Sequence, residues 1–178
     1  MIDPDRFIAD CLAAQAADTS FRHVCEIVAR AVADPALILR RLGEPQRPAM
    51  QKLYHAPALT ILNVILAPGM TIPPHDHRMR AVIGVYTGCE DNIFWQRIKG
   101  GQGGKLEAIG AKALRNSDAE LLDANMVHSV SNPLARLTGA IHVYDGDFFA
   151  TERSEWDPET LLEQAFDAER AIARFEDL

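Results

Sequence analysis

Three histidines carry the chemistry that this sequence can support. His75 and His77 are separated by one residue, in the stretch Gly-Met-Thr-Ile-Pro-Pro-His-Asp-His that runs from Gly69 to His77. In a strand, residues i and i+2 point to the same face, so both imidazoles can aim at one point, as two ligands of a single metal must. Pro73 and Pro74 keep the approach extended and forbid a helix. Gly69 permits the turn that starts the strand. A His-x-His alone also arises by chance on surface strands. A third histidine, His128, follows in Asn-Met-Val-His-Ser-Val-Ser-Asn-Pro.

Something must hold these residues together, and the bulk numbers bound what it is. The chain has 178 residues, enough for one domain with a sizeable core. Apolar residues make up 48% and charged residues 24%, as in ordinary globular proteins. A net charge of −7 disfavours nucleic acid and anionic membrane as partners. No apolar run reaches a membrane span, and the first residues do not form a basic-then-apolar leader. Cys11, Cys25 and Cys89 are odd in number and scattered, so they read as free thiols in a reducing compartment. The expected location is the cytoplasm.

The elements follow from periodicity. Asp3-Pro4 opens a helix with Phe7, Ile8, Cys11 and Leu12 on its apolar stripe. A second helix starts near Thr19 or Ser20 and carries Phe21, Val24, Cys25, Val28 and Val32; His23 lies off that stripe and reads as exposed. Asp34-Pro35 caps a short third helix that Gly43 ends. From Met50 to about Glu155 the pattern is β. The runs at 59–66, 81–86 and 93–98 are followed by short strands near 105–115, 119–122, 126–131 and 136–144. Lys99–Lys105 holds four glycines. It lacks the Gly-Lys-Ser/Thr ending of a phosphate loop and reads as a hairpin turn. Asp157-Pro158 caps a final helix with Leu161, Ala165, Ala168, Ile172 and Phe175 on one face. The expected organisation is one domain over 1–178, with N-terminal helices (1–45), a β-barrel (46–156) and a C-terminal helix (157–178).

Across about residues 50–146 the sequence resembles the cupins. Gly69, five residues, His75-x-His77 and then Gly88 resemble the first cupin motif, and His128-x-x-x-Asn132 resembles the end of the second. The resemblance implies a mainly β fold, a double-stranded β-helix or jelly-roll barrel, with His75, His77 and His128 as ligands of one metal. Where the general pattern places a glutamate, this chain has Ala81 and Val82. The implied site therefore has three neutral imidazoles and no carboxylate, which leaves a divalent ion its full charge and three adjacent open positions. A closed structural site would instead fill its coordination shell.

Within that family the arrangement resembles the thiol dioxygenases, cysteine dioxygenase and the bacterial enzymes acting on 3-mercaptopropionate. The resemblance implies Fe(II) as cofactor, although such a site also accepts nickel, zinc or other divalent ions on purification. It implies a small thiol and O2 as substrates, oxidation of the thiol to its sulfinate, and catalytic roles for Tyr144 and His142, which match the family's late-strand His-x-Tyr as His142-Val143-Tyr144. The two share a strand face, so they would be a hydrogen-bonded pair beside the metal, with Tyr144 donating to substrate or oxygen, or else a buried core histidine and tyrosine. A monomer or homodimer is expected. Three positions depart from cysteine dioxygenase. Ala140 replaces the serine that precedes the His-x-Tyr, Val82 occupies the place of the crosslinking cysteine, and Ala56 falls near the carboxylate-binding arginine, for which Arg78 and Arg80 are possible replacements. Other readings of the same ligands are a different metal-dependent cupin dioxygenase, a non-catalytic ligand-binding cupin, and a zinc sugar isomerase, which normally keeps a carboxylate ligand.

Overall fold

A computed structural model of the chain describes residues 4–100 and 102–176. The Asp3 cap and the last two residues of the expected final helix lie outside the described residues. Three helices come first, α1 (Pro4–Ala17), α2 (Arg22–Val32) and α3 (Pro35–Leu42). Pro35 sits at the start of α3, and Gly43 ends it at φ 81°. Nine strands follow: β1 (Ala49–Ala56), β2 (Leu59–Leu66), β3 (Thr71–Asp76), β4 (Ala81–Thr87), β5 (Cys89–Arg97), β6 (Leu106–Arg115), β7 (Ala119–Leu122), β8 (Val127–Ser131) and β9 (Thr138–Tyr144). The glycine-rich loop joins β5 to β6 in one antiparallel hairpin.

The strands pair into two antiparallel sheets, in the orders β1-β2-β9-β4-β7 and β11-β10-β3-β8-β5-β6, where β10 is Ser154–Trp156 and β11 is Glu163–Ala165. Counting from β2 as the first of eight strands, the first sheet holds strands 1, 8, 3 and 6 and the second holds strands 2, 7, 4 and 5. That is the jelly-roll order, two Greek keys folded into a double-stranded β-helix. The mainly β barrel expected from the sequence is therefore what the chain forms.

Burial follows the strand period. On β9, Ala140 and Tyr144 face the core between the sheets, while Ile141 and Val143 face a second core under the helices. Val24, Val28 and Val32 of α2 fill that second core. Every residue of β2 is buried because its strand is covered on both faces, which explains its nearly unbroken apolar run. The close approach of α2 to β4 needs Gly84, where an added Cβ would stand 2.4 Å from Val28 Cγ1 and 2.9 Å from Val32 Cγ1. Gly84→Val should therefore push α2 off the sheet and cost about 1–3 kcal/mol in a denaturant titration. The barrel interior, and with it metal uptake, should be unaffected.

The C-terminal segment departs from the expectation. The last helix is α4 (Ala168–Glu176), not 157–178. Asp157 does not cap a helix. Its Oδ1 accepts from the backbone N–H of Glu159 and Thr160 and from the Thr160 hydroxyl, which closes a local turn. Leu161 adopts φ 55°, and β11 then pairs back on β10. The sheet thus continues past residue 156, and Leu161 and Ala165 do not share a helix face with Phe175.

Candidate metal centre

β3 brings the first pair of histidines inward. Its two prolines cannot donate to a ladder, and the register with β8 slips between Ile72 and His75. Past that irregularity, His75 lies directly opposite His128. His77 follows at the strand end on the same face. Asp76, between them, points the other way, accepting from the Ser154 backbone N–H at 2.9 Å and pairing with Arg78 Nε at 2.8 Å. The strand period thus separates two ligand-type imidazoles from a carboxylate that ties β3 to β10.

His75, His77 and His128 are all buried, and their ring nitrogens lie within 4.8 Å of one another. Ring centroids are 4.6–5.0 Å apart. Ion–nitrogen bonds near 2.1 Å set neighbouring ligand atoms about 3 Å apart in an octahedron, so closing on an ion asks for ring rotation rather than a new backbone path. Two rings are oriented from behind. His75 Nδ1 donates to the Pro73 carbonyl at 2.9 Å, and His128 Nδ1 lies 2.8 Å from Asn92 Oδ1. Both partners are oxygen acceptors, so each ring carries its proton on Nδ1 and turns the Nε2 lone pair inward. His128 Nε2 is buried with no hydrogen-bond partner among the described residues. A buried orphan lone pair is costly, and a metal ion would satisfy it.

Burial also fixes the charge of these rings. It pushes His75 down to about 4, helped by the positive charge of Arg153. His77 is held well below the usual imidazole range by burial and then by its two neighbouring imidazoles; for His128 burial again dominates, with His75 and His142 adding to it. Neutral imidazole is the form that binds metal, so protons do not compete near neutral pH. The donor set fits a divalent ion, and the three-histidine group can bind one.

The second pair lies next to the first. His142 Nδ1 is 3.0 Å from the Tyr144 hydroxyl, and the Tyr144 and His77 ring centroids are 5.1 Å apart. Both residues of the pair are buried, and both line the same cavity as the three histidines. That cavity measures about 40 Å³, room for a few water-sized groups. Phe148, Phe166 and Phe175 form much of its apolar wall. Arg174 and Phe175 come from α4, so the terminal helix closes one side of the cavity.

Arg78 and Arg80 do not reach this cavity: they pair with Asp76 and Asp145 on its outside. The structure instead places Arg153 beside it. Arg153 is buried, its guanidinium lies over the rings of Phe148 (4.2 Å) and Phe166 (3.7 Å), and Nη1 donates to the Phe148 carbonyl. Nε and Nη2 have no hydrogen-bond partner among the described residues. Burial drops its pKa to about 10. Three residues around the site thus escape the sequence reading: Arg153, which stacks behind the Phe148–Phe166 wall, Asn92, and Glu90, whose buried carboxylate stands 3.3 Å from His142 Nε2. Asn132 of the second motif is structural. Its amide donates to the carbonyls of Ala67 and Arg136 and clamps the turn before β9.

No family model matches the chain. Solved structures similar to it include an RmlC-like cupin with a double-stranded β-helix fold from Methanocaldococcus jannaschii (11% identity, TM-score 0.48, 59% of this chain and 85% of that one). A double-stranded β-helix protein from Klebsiella pneumoniae matches at 16% identity and TM-score 0.44, over 58% of this chain and 78% of its own. An oxalate oxidase matches at 20% identity and TM-score 0.41 over 50% of this chain. The match spans only 42% of the oxalate oxidase. The fold assignment rests on the strand order itself.

Proposed function

We propose that this chain is a non-haem Fe(II) dioxygenase that oxidises a small thiol bearing a carboxylate, such as cysteine or 3-mercaptopropionate, to its sulfinate. One observation carries the reading: the all-imidazole cluster shares its cavity with the His142–Tyr144 pair, and behind the Phe148–Phe166 wall of that cavity Arg153 keeps two donors, Nε and Nη2, unpartnered among the described residues. Three neutral ligands leave a divalent ion its charge, which favours an anionic sulfur donor. The ion would supply open positions at which sulfur and O2 meet and one-electron redox chemistry between them, while the four electrons that reduce O2 come from the sulfur. Arg153 would pair with the substrate carboxylate through Nε and Nη2, whose fork matches a carboxylate edge. Phe148 and Phe166 exclude water around it. The small cavity limits the substrate to a few heavy atoms. Both oxygen atoms end on sulfur, and the thiol proton must leave it.

The test is oxygen uptake by anaerobically iron-loaded protein against a panel of small thiols with and without a carboxylate. Carboxylated thiols should be turned over and 2-mercaptoethanol poorly or not at all. Arg153→Gln should raise KM for the best carboxylated thiol about 10- to 100-fold, the worth of one hydrogen-bonded charge pair, and leave neutral thiols alone. Absence of uptake with every thiol refutes the reading.

A further inference from the structure

All three clustered histidines are buried, so whatever binds them must first pass a wall of the barrel. Most of that wall is sheet, closed by ladder hydrogen bonds, and the first sheet carries the helical layer outside it. One stretch is built differently. β1 is the edge strand of its sheet, and α4 packs on it there. Met50 of β1 and Phe175 of α4 both line the cavity that holds the histidines. The same two side chains line a groove of about 550 Å³ between β1 and α4, together with the exposed Arg47 and Glu176. Met50 and Phe175 are the two residues that cavity and groove share, so they form the partition between them. The larger groove beside Trp95, about 880 Å³, shares no lining residue with the metal cavity.

Both sides of the partition can move. Methionine is unbranched and fills a gap without being fixed in it. α4 has nine residues, too few for a helix that is stable alone, so its position depends on what it touches. It is held by the buried Ala171 and Phe175 and by ion pairs of Arg170 and Arg174 with Glu155, a carboxylate of β10 that is 1% exposed. These are side-chain contacts. α4 can lean outward, or Phe175 can rotate, without a ladder hydrogen bond being lost.

We propose that Met50 and Phe175 are the gate of the metal cavity and set the largest molecule that reaches the three histidines. A thioether and a ring fill the passage in the closed arrangement. Divalent ions and ligands of a few heavy atoms pass when the two side chains part, and larger molecules stay in the groove. The inference rests on the three-histidine metal site and on nothing about the thiol.

The experiment measures cobalt(II) uptake by the metal-free full chain, and its release to an excess of a bulky coloured chelator that reports free cobalt. Release from the wild type should not depend on chelator concentration, because the chelator stays outside the gate. Phe175→Ala and Met50→Ala should raise the uptake and release rates together by about 10- to 100-fold, as expected for an open state populated at about 1–10%. A barrier lowered in both directions leaves the Kd for cobalt unchanged, whereas loss of a residue that merely braces the site would raise it. Met50→Trp should slow both rates, which a loosened fold cannot do, so the Met50 variants decide the question even where Phe175→Ala does not fold. Wild-type rates in the Met50 variants overturn the gate and leave the metal centre standing. A raised Kd with unchanged uptake makes the two side chains packing residues and also overturns it. A wild-type protein that binds no cobalt overturns the metal site, and the gate with it.

Discussion

His77→Ala is expected to leave a folded protein that no longer binds a divalent ion and has no activity. His77 is buried against both other imidazoles, with ring centroids 4.9 and 5.0 Å away. Two neutral imidazoles alone, without a carboxylate, are a poor cage. Losing an outer partner such as Asn92 costs about 10- to 100-fold in metal affinity, so losing a ligand itself should cost more than that. The measurement is metal per chain after iron loading and desalting, for wild type, His77→Ala and Asn92→Ala in parallel. Wild type should hold close to one ion, Asn92→Ala should hold less at limiting metal, and His77→Ala almost none. The ion should also raise Tm of the wild type but not of His77→Ala, because a ligand that binds only the folded state stabilises it by mass action. Equal metal content in all three proteins would show that the ion sits elsewhere.

The ordering Asn92 before His77 also marks where the sequence was legible. The histidines could be read because the i, i+2 spacing of His75 with His77 and of His142 with Tyr144 survives any error in strand boundaries. Glu90 and Asn92 could not. A strand read from Ile93 leaves Cys-Glu-Asp-Asn as turn-like polar residues, since Asp, Asn and Glu are depleted in strands. The strand in fact begins at Cys89, and its polar residues are tolerated inside the barrel because each has a histidine to bond. Arg153 follows β9 in an irregular segment where no periodicity marks a side chain as inward. The final helix was misplaced for a different reason. Asp-Pro is a helix-start signal, but the Asp157 side chain satisfied the backbone donors of a tight turn instead, and the apolar spacing from Leu161 to Phe175 was a coincidence of two elements. The fold class was more robust than any boundary, because it depends on the number of short strands and the turns between them.

Tyr144→Phe should separate chemistry from metal binding. The change removes one hydroxyl and almost no volume, and the ring keeps its contacts with Phe148 at 4.5 Å and His77 at 5.1 Å. Metal content should match wild type, since Tyr144 is not among the three clustered nitrogens. Burial raises the Tyr144 hydroxyl well above the ordinary phenol range, even with the opposing charge of Arg153 nearby. The phenol therefore stays neutral and can only pass a proton on or present one. Without it, His142 has no contact with the cavity ligand, and the sulfur or oxygen loses its one positioned hydroxyl partner. Loss of such a group costs about 10²-fold in kcat. KM should change little if the carboxylate is held by Arg153, so kcat and kcat/KM should fall together. His142→Gln should give a similar loss, and the double variant should be no worse than either single one, because the two act as a unit. Oxygen uptake with the best thiol across the four proteins measures this. Full activity of Tyr144→Phe would make the tyrosine a packing residue, and additive losses in the double variant would mean that His142 and Tyr144 act on the substrate separately.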